Sequence, residues 1–148
     1  MLLRDDKQAA MNDLLVALKD AADRYHDAAQ IAHEPALASL FQRLSRRRLE
    51  MAREAERHLR KLGDLPRTPD SDLEAIESLL THVKAALSPD ERRTLLQERE
   101  RTETQIGELI KTALATSLPP EMDASLQRMH EEVAATRQEL SASAGSPS

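Results

Sequence analysis

The stretch Gly63-Asp64-Leu65-Pro66-Arg67-Thr68-Pro69-Asp70 decides the fold. Inside a helix, proline costs about 3 kcal/mol and glycine about 1 relative to alanine, so no helix continues through it. Upstream lie two long periodic segments separated only by His33-Glu34-Pro35. In the first, Met11, Leu14, Leu18, Ala22, Tyr25, Ala29 and Ala32 recur at steps of three and four, which predicts an amphipathic helix from about Asp5 to Ala32. In the second, Leu37, Leu40, Phe41, Leu44, Met51, Ala55, Leu59 and Leu62 do the same from Pro35 to Leu62. Proline suits the first turn of a helix and Gly63 suits a left-handed cap after one. So short a connection makes the pair an antiparallel hairpin.

Downstream, Asp70-Ser71-Asp72 opens a shorter periodic segment carrying Leu73, Ile76, Leu80, Val83 and Leu87. Ser88-Pro89-Asp90 caps a third long helix, about Pro89 to Thr116, and Ser117-Leu118-Pro119-Pro120-Glu121 starts a fourth, to about Leu140. From Ser141 the residues are Ser, Ala, Gly and Pro, which reads as a disordered tail over 141–148 after a single domain at 1–140. The fold class is all-α. Two hairpins joined by a long connection with its own short helix give the topology of a ferritin-like four-helix bundle, in which the third helix runs parallel to the second. A five-helix array is the alternative.

Composition narrows the function. The 148 residues carry no cysteine, one tyrosine, one phenylalanine and no tryptophan. Disulfides, thiolate metal sites and cysteine nucleophiles are therefore excluded, and the core is aliphatic. Net charge is −5, with pI near 5.6, which argues against nucleic acid as a general partner. The start Met1-Leu2-Leu3-Arg4-Asp5-Asp6 is not a secretory signal, and no stretch is apolar for the ~18 residues that a membrane span needs. The expectation is a soluble, cytoplasmic protein with no membrane or nucleic-acid partner.

Several strings occur in order from about Met11 to Leu140: Asn12-Asp13-Leu14-Leu15, Tyr25 with Ala28-Ala29, Leu40-Phe41-Gln42-Arg43-Leu44, Lys61-Leu62-Gly63, Val83-Lys84-Ala85 and Leu118-Pro119-Pro120-Glu121. In this succession the chain resembles a bacterial ferritin-like family catalogued as a domain of unknown function. The resemblance implies a four-helix bundle without an established activity. It also implies relatives that hold a di-metal centre between carboxylates and histidines, and a part in stress response. Family members often carry a tryptophan before the Val-Lys-Ala string, a glycine before the tyrosine and a histidine late in the last helix. This chain has no tryptophan, Arg24 in place of the glycine, and Thr136-Arg137 where the histidine would fall.

A di-iron site of this kind needs an inward Glu from each of two helices and a Glu-x-x-His from each of the others. No Glu-x-x-His occurs here, and the first helix has no carboxylate on its apolar stripe. The weak metal candidates are Glu54 with His58, Glu103 and Glu132. No catalytic residues are assigned and no cofactor is expected. The alternative function is an iron- or manganese-dependent di-metal carboxylate protein, an iron binder or oxidase with an atypical site.

Two other patterns remain. Arg48 interrupts the second apolar stripe, and Arg99 with Glu103 interrupts the third. In parallel helices Arg48 and Glu103 reach one level, near Tyr25, giving a buried polar network of Tyr25, Arg48, Arg99 and Glu103. It reads either as a structural ion-pair network or as a pocket for a small anion or carboxylate. The histidines His26, His33, His82 and His130 form no clustered pair, and Arg46-Arg47-Arg48 lacks the interleaved aromatics of a nucleic-acid site.

On the outer faces, Asp6, Asp13, Asp20 and Asp27 lie seven apart, as do Arg46, Arg53 and Arg60. A step of seven nearly returns to one angular position, so each set is a one-sign stripe, the second diluted by Glu50 and Glu56 on the same helix. The two stripes are either solvated faces or an electrostatic contact between subunits. The overall expectation is a non-enzymatic bundle that acts as a homo-oligomer or through a partner.

Overall fold

The computed structural model describes residues 5–64 and 87–145. They form four helices, α1 (Asp6–Ile31), α2 (Pro35–Lys61), α3 (Pro89–Leu114) and α4 (Pro120–Gly145), and no strand occurs among the described residues. The short helix expected from Asp70 falls, save for Leu87, outside them.

The ends of the helices follow from local chemistry. Asp5 and Ser88 each form a reciprocal capping box, with Gln8 and Glu91 three residues on, which satisfies two of the free amide donors at each start. The α2 helix begins with Pro35 in its first turn and ends with Arg60 and Lys61, cations that suit the negative end of the helix dipole. Gly63 follows at φ +84°, and Gln8 Nε2 donates to the Leu62 carbonyl at 2.8 Å, tying the end of α2 to the start of α1. Ser117, between α3 and α4, is a non-glycine residue at φ 55°.

The α4 helix continues to Gly145 rather than stopping at Leu140. Alanine and serine do not break a helix, Ala144 packs against the apolar cluster around Leu140, and Arg92 Nη1 donates to the Ser143 carbonyl at 2.8 Å. The last turn thus gains packing and a cationic partner for a carbonyl that the helix itself leaves free.

Each helix packs on two others. The α1 helix touches α2 and α3, and α4 touches α3 and α2. Cross-links give the directions. Glu34 meets Arg92 and Arg48 meets Glu103, so α2 and α3 ascend together and lie diagonally opposite. Arg43 meets Glu139 and Arg47 meets Glu132, so α4 runs against α2. At 26 residues, α1 spans about 39 Å.

The stripe residues Met11, Leu14, Leu18, Tyr25, Phe41, Leu44, Met51 and Leu59 are all buried. Fully burying a large aliphatic side chain contributes about 1.5–3 kcal/mol. Leu40 and Leu62 are only half-buried. The buried apolar residues fall into two clusters. One runs from Met11 through Leu18, Met51, Ile106 and Val133; the other holds Tyr25, Phe41, Leu44, Leu96 and Leu140. The boundary passes between Leu44 and Met51, Leu96 and Ile106, and Val133 and Leu140. A polar layer fills it.

Candidate functional site

The centre of that layer is Arg48, whose side chain is completely buried, as is that of Glu103. Helical spacing sets Arg48 four residues after Leu44 and three before Met51, a core position. Its Nε donates to both Glu103 carboxylate oxygens at 3.1 Å and its Nη2 to Oε1 at 2.5 Å. Nη2 also donates to Thr136 Oγ1 at 2.8 Å, and Nη1 to Glu132 at 3.3 Å and to the Met51 sulfur at 3.1 Å. Thr136 Oγ1 in turn donates to the Glu132 backbone carbonyl at 2.9 Å. Burial works against the Arg48 charge, but the hydrogen bonds and attraction of Glu103 outweigh it and hold the guanidinium above its ordinary pKa.

Around this pair, Glu132 is shared with Arg47, whose hydrogen bond holds its carboxyl below the usual range. Tyr25 lies fully buried with its ring 6.1 Å from that of Phe41. Desolvation, then the Glu103 charge, push its phenol far above the ordinary value, so it is neutral at every physiological pH. Arg99 sits over the Tyr25 ring at 5.9 Å, a cation–π geometry. Its Nε and Nη1 are buried without a hydrogen-bond partner, as is the Tyr25 hydroxyl, and burial lowers its pKa. The four residues expected as a polar network, Tyr25, Arg48, Arg99 and Glu103, therefore lie together. The unpartnered atoms are shut off from solvent, which leaves an anion no room beside them in this arrangement.

A second polar group lies nearer the other end of α2. Ser125 Oγ donates to Glu54 Oε1 at 2.6 Å and lies 2.9 Å from His58 Nε2. With its proton committed to Glu54, Ser125 accepts from His58, which places the imidazole proton on Nε2. His58 Nδ1 is buried without a partner, and burial holds the imidazole below its ordinary pKa. A nucleophilic serine passes its proton to the histidine, and the histidine leans on the carboxylate. Here the relay runs the opposite way, so Ser125 is not activated.

The metal candidates do not converge. Glu54 and His58 share Ser125, Glu103 is taken up by Arg48, and Glu132 by Arg47 and Arg48. Among the described residues no three histidine, aspartate or glutamate side chains gather as a metal site. A fixed buried guanidinium bonded to two of the four candidate groups is chemistry that does not fit a divalent ion between them. His26 and His33 are exposed and His130 half-buried; His82 lies outside the described residues.

On the outer faces, Asp13, Arg46, Arg53 and Arg60 are exposed, while Asp20 and Asp27 are half-buried. Asp13 and Asp20 line a groove between α1 and α3, and Asp27 does not. Asp20 holds Arg24 at 2.7 Å and Arg60 lies 3.8 Å from Glu56.

Ser125 and Thr136 were not singled out from sequence as site residues. Their signal was a polar residue at an inward position, since Met122, Leu126, Met129, Val133 and Leu140 mark the buried line of α4. Asn12 is also buried on α1.

No described helix is long and apolar enough to cross a membrane. A family model described as a domain of unknown function, DUF2383, matches residues 6–116. No curated protein and no solved structure matches the chain.

Proposed function

We propose that this chain, which belongs to the DUF2383 family, a domain of unknown function, is a ferritin-like bundle without metal-dependent catalysis that works through its outer surface, by self-association or partner binding. The single observation that carries the reading is the bonding of Arg48 to Glu103, Glu132 and Thr136 between the two apolar clusters. In a di-metal carboxylate bundle that interior holds acidic side chains around cations. Here a covalently attached cation serves as their counter-charge. Thr136, one of the two residues standing where the family resemblance sets a late histidine, accepts from that cation. The common direction of α2 and α3, with α4 running against α2, supports the ferritin-like topology.

Neither the buried layer nor the second polar group around Ser125 offers a reacting group. Tyr25 is held neutral, Arg48 is held charged, and Ser125 has its proton turned toward Glu54. What such a layer does is fix register, because sliding any helix by one turn sets Arg48 against apolar side chains. Metal analysis of protein purified after growth with added iron and manganese tests the reading. The expected content is below one equivalent of either metal per chain. Two equivalents retained at micromolar affinity refute it.

A further inference from the structure

We propose that the outer face of α2 docks into the acidic groove between α1 and α3 of a second copy of this chain. This rests on the reading that the outer surface is what acts, and it names the partner. The groove has a volume of about 560 Å³ and is lined by Asp13, Asp20 and Glu108 beside the half-buried apolar residues Val16, Ala17 and Leu109. It therefore combines acidic side chains with an apolar floor, which suits a helix carrying both basic and apolar residues.

The α2 helix presents such a face. Arg46 and Arg53 are exposed, and Leu49 between them is the exposed large hydrophobic residue among those described, at 40%. The seven-residue step from Arg46 to Arg53 is about 10.5 Å along the helix, and so is the step from Asp13 to Asp20. Two helices laid side by side thus bring the two arginines level with Asp13 and with Asp20, the latter already holding Arg24 of its own helix at 2.7 Å. Leu49 falls between the arginines on an adjoining line of the helix, where it meets Val16, Ala17 and Leu109. Among the described residues, Arg46, Arg53 and Asp13 take part in no ion pair within the chain, unlike Arg47 and Arg43, which α4 already occupies.

The two surfaces differ, one being the exposed face of α2 and the other the groove between α1 and α3. The contact is therefore head-to-tail, and a chain using both surfaces extends beyond a pair, as a ring or an open row. Exposed ion pairs set register and are weakened by salt, while the apolar contact holds the helix in place.

Sedimentation velocity of the full chain across a concentration series, at low and high salt, tests this. The wild type is expected to form concentration-dependent species larger than a monomer that diminish in high salt. Asp13→Lys with Asp20→Lys, and separately Arg46→Glu with Arg53→Glu, are each expected to sediment as monomers with helix content unchanged by circular dichroism. An equimolar mixture of the two reversed proteins is expected to recover association, because the basic α2 of one then meets the acidic groove of the other. Leu49→Ser is expected to weaken association at least tenfold. A monomeric wild type at every concentration, association indifferent to either reversal, or a mixture that fails to recover it overturns the proposal. Each of these outcomes is independent of metal content, so this proposal and the preceding reading fail separately.

Discussion

Replacing either member of the central ion pair alone should cost more than replacing both. With Glu103→Leu, Arg48 loses three hydrogen bonds but keeps Thr136 at 2.8 Å and Glu132 at 3.3 Å. Breaking a buried pair generally costs about 3–5 kcal/mol, and this residual pairing puts the loss near the lower end, about 3 kcal/mol. With Arg48→Met, Glu103 loses all three hydrogen bonds that Arg48 donates to it. Its carboxyl must then stay charged without a partner or take up a proton, so the loss lies nearer 5 kcal/mol. For a chain of this size each kcal/mol lowers Tm by roughly 2–4 °C, hence about 6–12 °C for Glu103→Leu. The double variant places Met and Leu where the two apolar clusters already meet and should lose less than either single change. Urea unfolding followed by far-ultraviolet circular dichroism gives the three values directly. A loss below ~0.5 kcal/mol for Glu103→Leu, or a double variant as unstable as the two singles summed, would falsify the claim that the pair is buried and mutually dependent.

Three further outcomes follow from other parts of the molecule. Because burial holds His58 below 6.5, the unfolded chain takes up a proton first as pH falls. Its stability contribution is therefore complete above 6.5 and lost below it, and His58→Gln should flatten the fall in Tm between pH values on either side of 6.5; an unchanged slope would count against burial of the imidazole. Gly63→Ala should destabilise by about 1–2 kcal/mol through backbone strain alone, since a Cβ there meets only Gln8 Nε2 at 3.9 Å. Gly63→Asn should cost less in the same urea titration, and equal losses would contradict the strain argument. Arg92→Ala removes the Glu34 pair at 2.8 Å and the bond to the Ser143 carbonyl, so it should cost about 1 kcal/mol and speed amide hydrogen exchange in residues 141–145. Unchanged exchange there would mean that Ala144 packing, not Arg92, orders the last turn.

Periodicity made the stripe of α1 legible, yet Leu15, Ala21 and Ala28 are buried as well. A helix that touches both α2 and α3 needs an apolar arc wider than one stripe, and the extra width emerges only once both neighbours are in place. Arg48 and Glu103 were legible because each is a charge at an inward position, and buried charges require partners. Glu54, Ser125 and His58 were not legible as one relay, since a lone serine on a helix gives no sign of its partners, which depend on the axial offset of α4 against α2. Punctuation located the start of α4 but not its end. Ser141 is only weak evidence against a helix and Ala142 favours one, and the deciding contact comes from Arg92, about fifty positions away in the chain.

The absence of tryptophan and the single tyrosine give the molecule an unusual optical character. Tyr25 stands at the junction of the two apolar clusters, between the Phe41 ring and the Arg99 guanidinium. Tyrosine emission from the whole chain is therefore emission from one point at its centre. Its phenol is held far from ionising by burial and by the Glu103 carboxylate. In an alkaline titration the tyrosinate absorption band accordingly arrives with the opening of the core, and a spectrophotometer reads the integrity of the polar layer without any label.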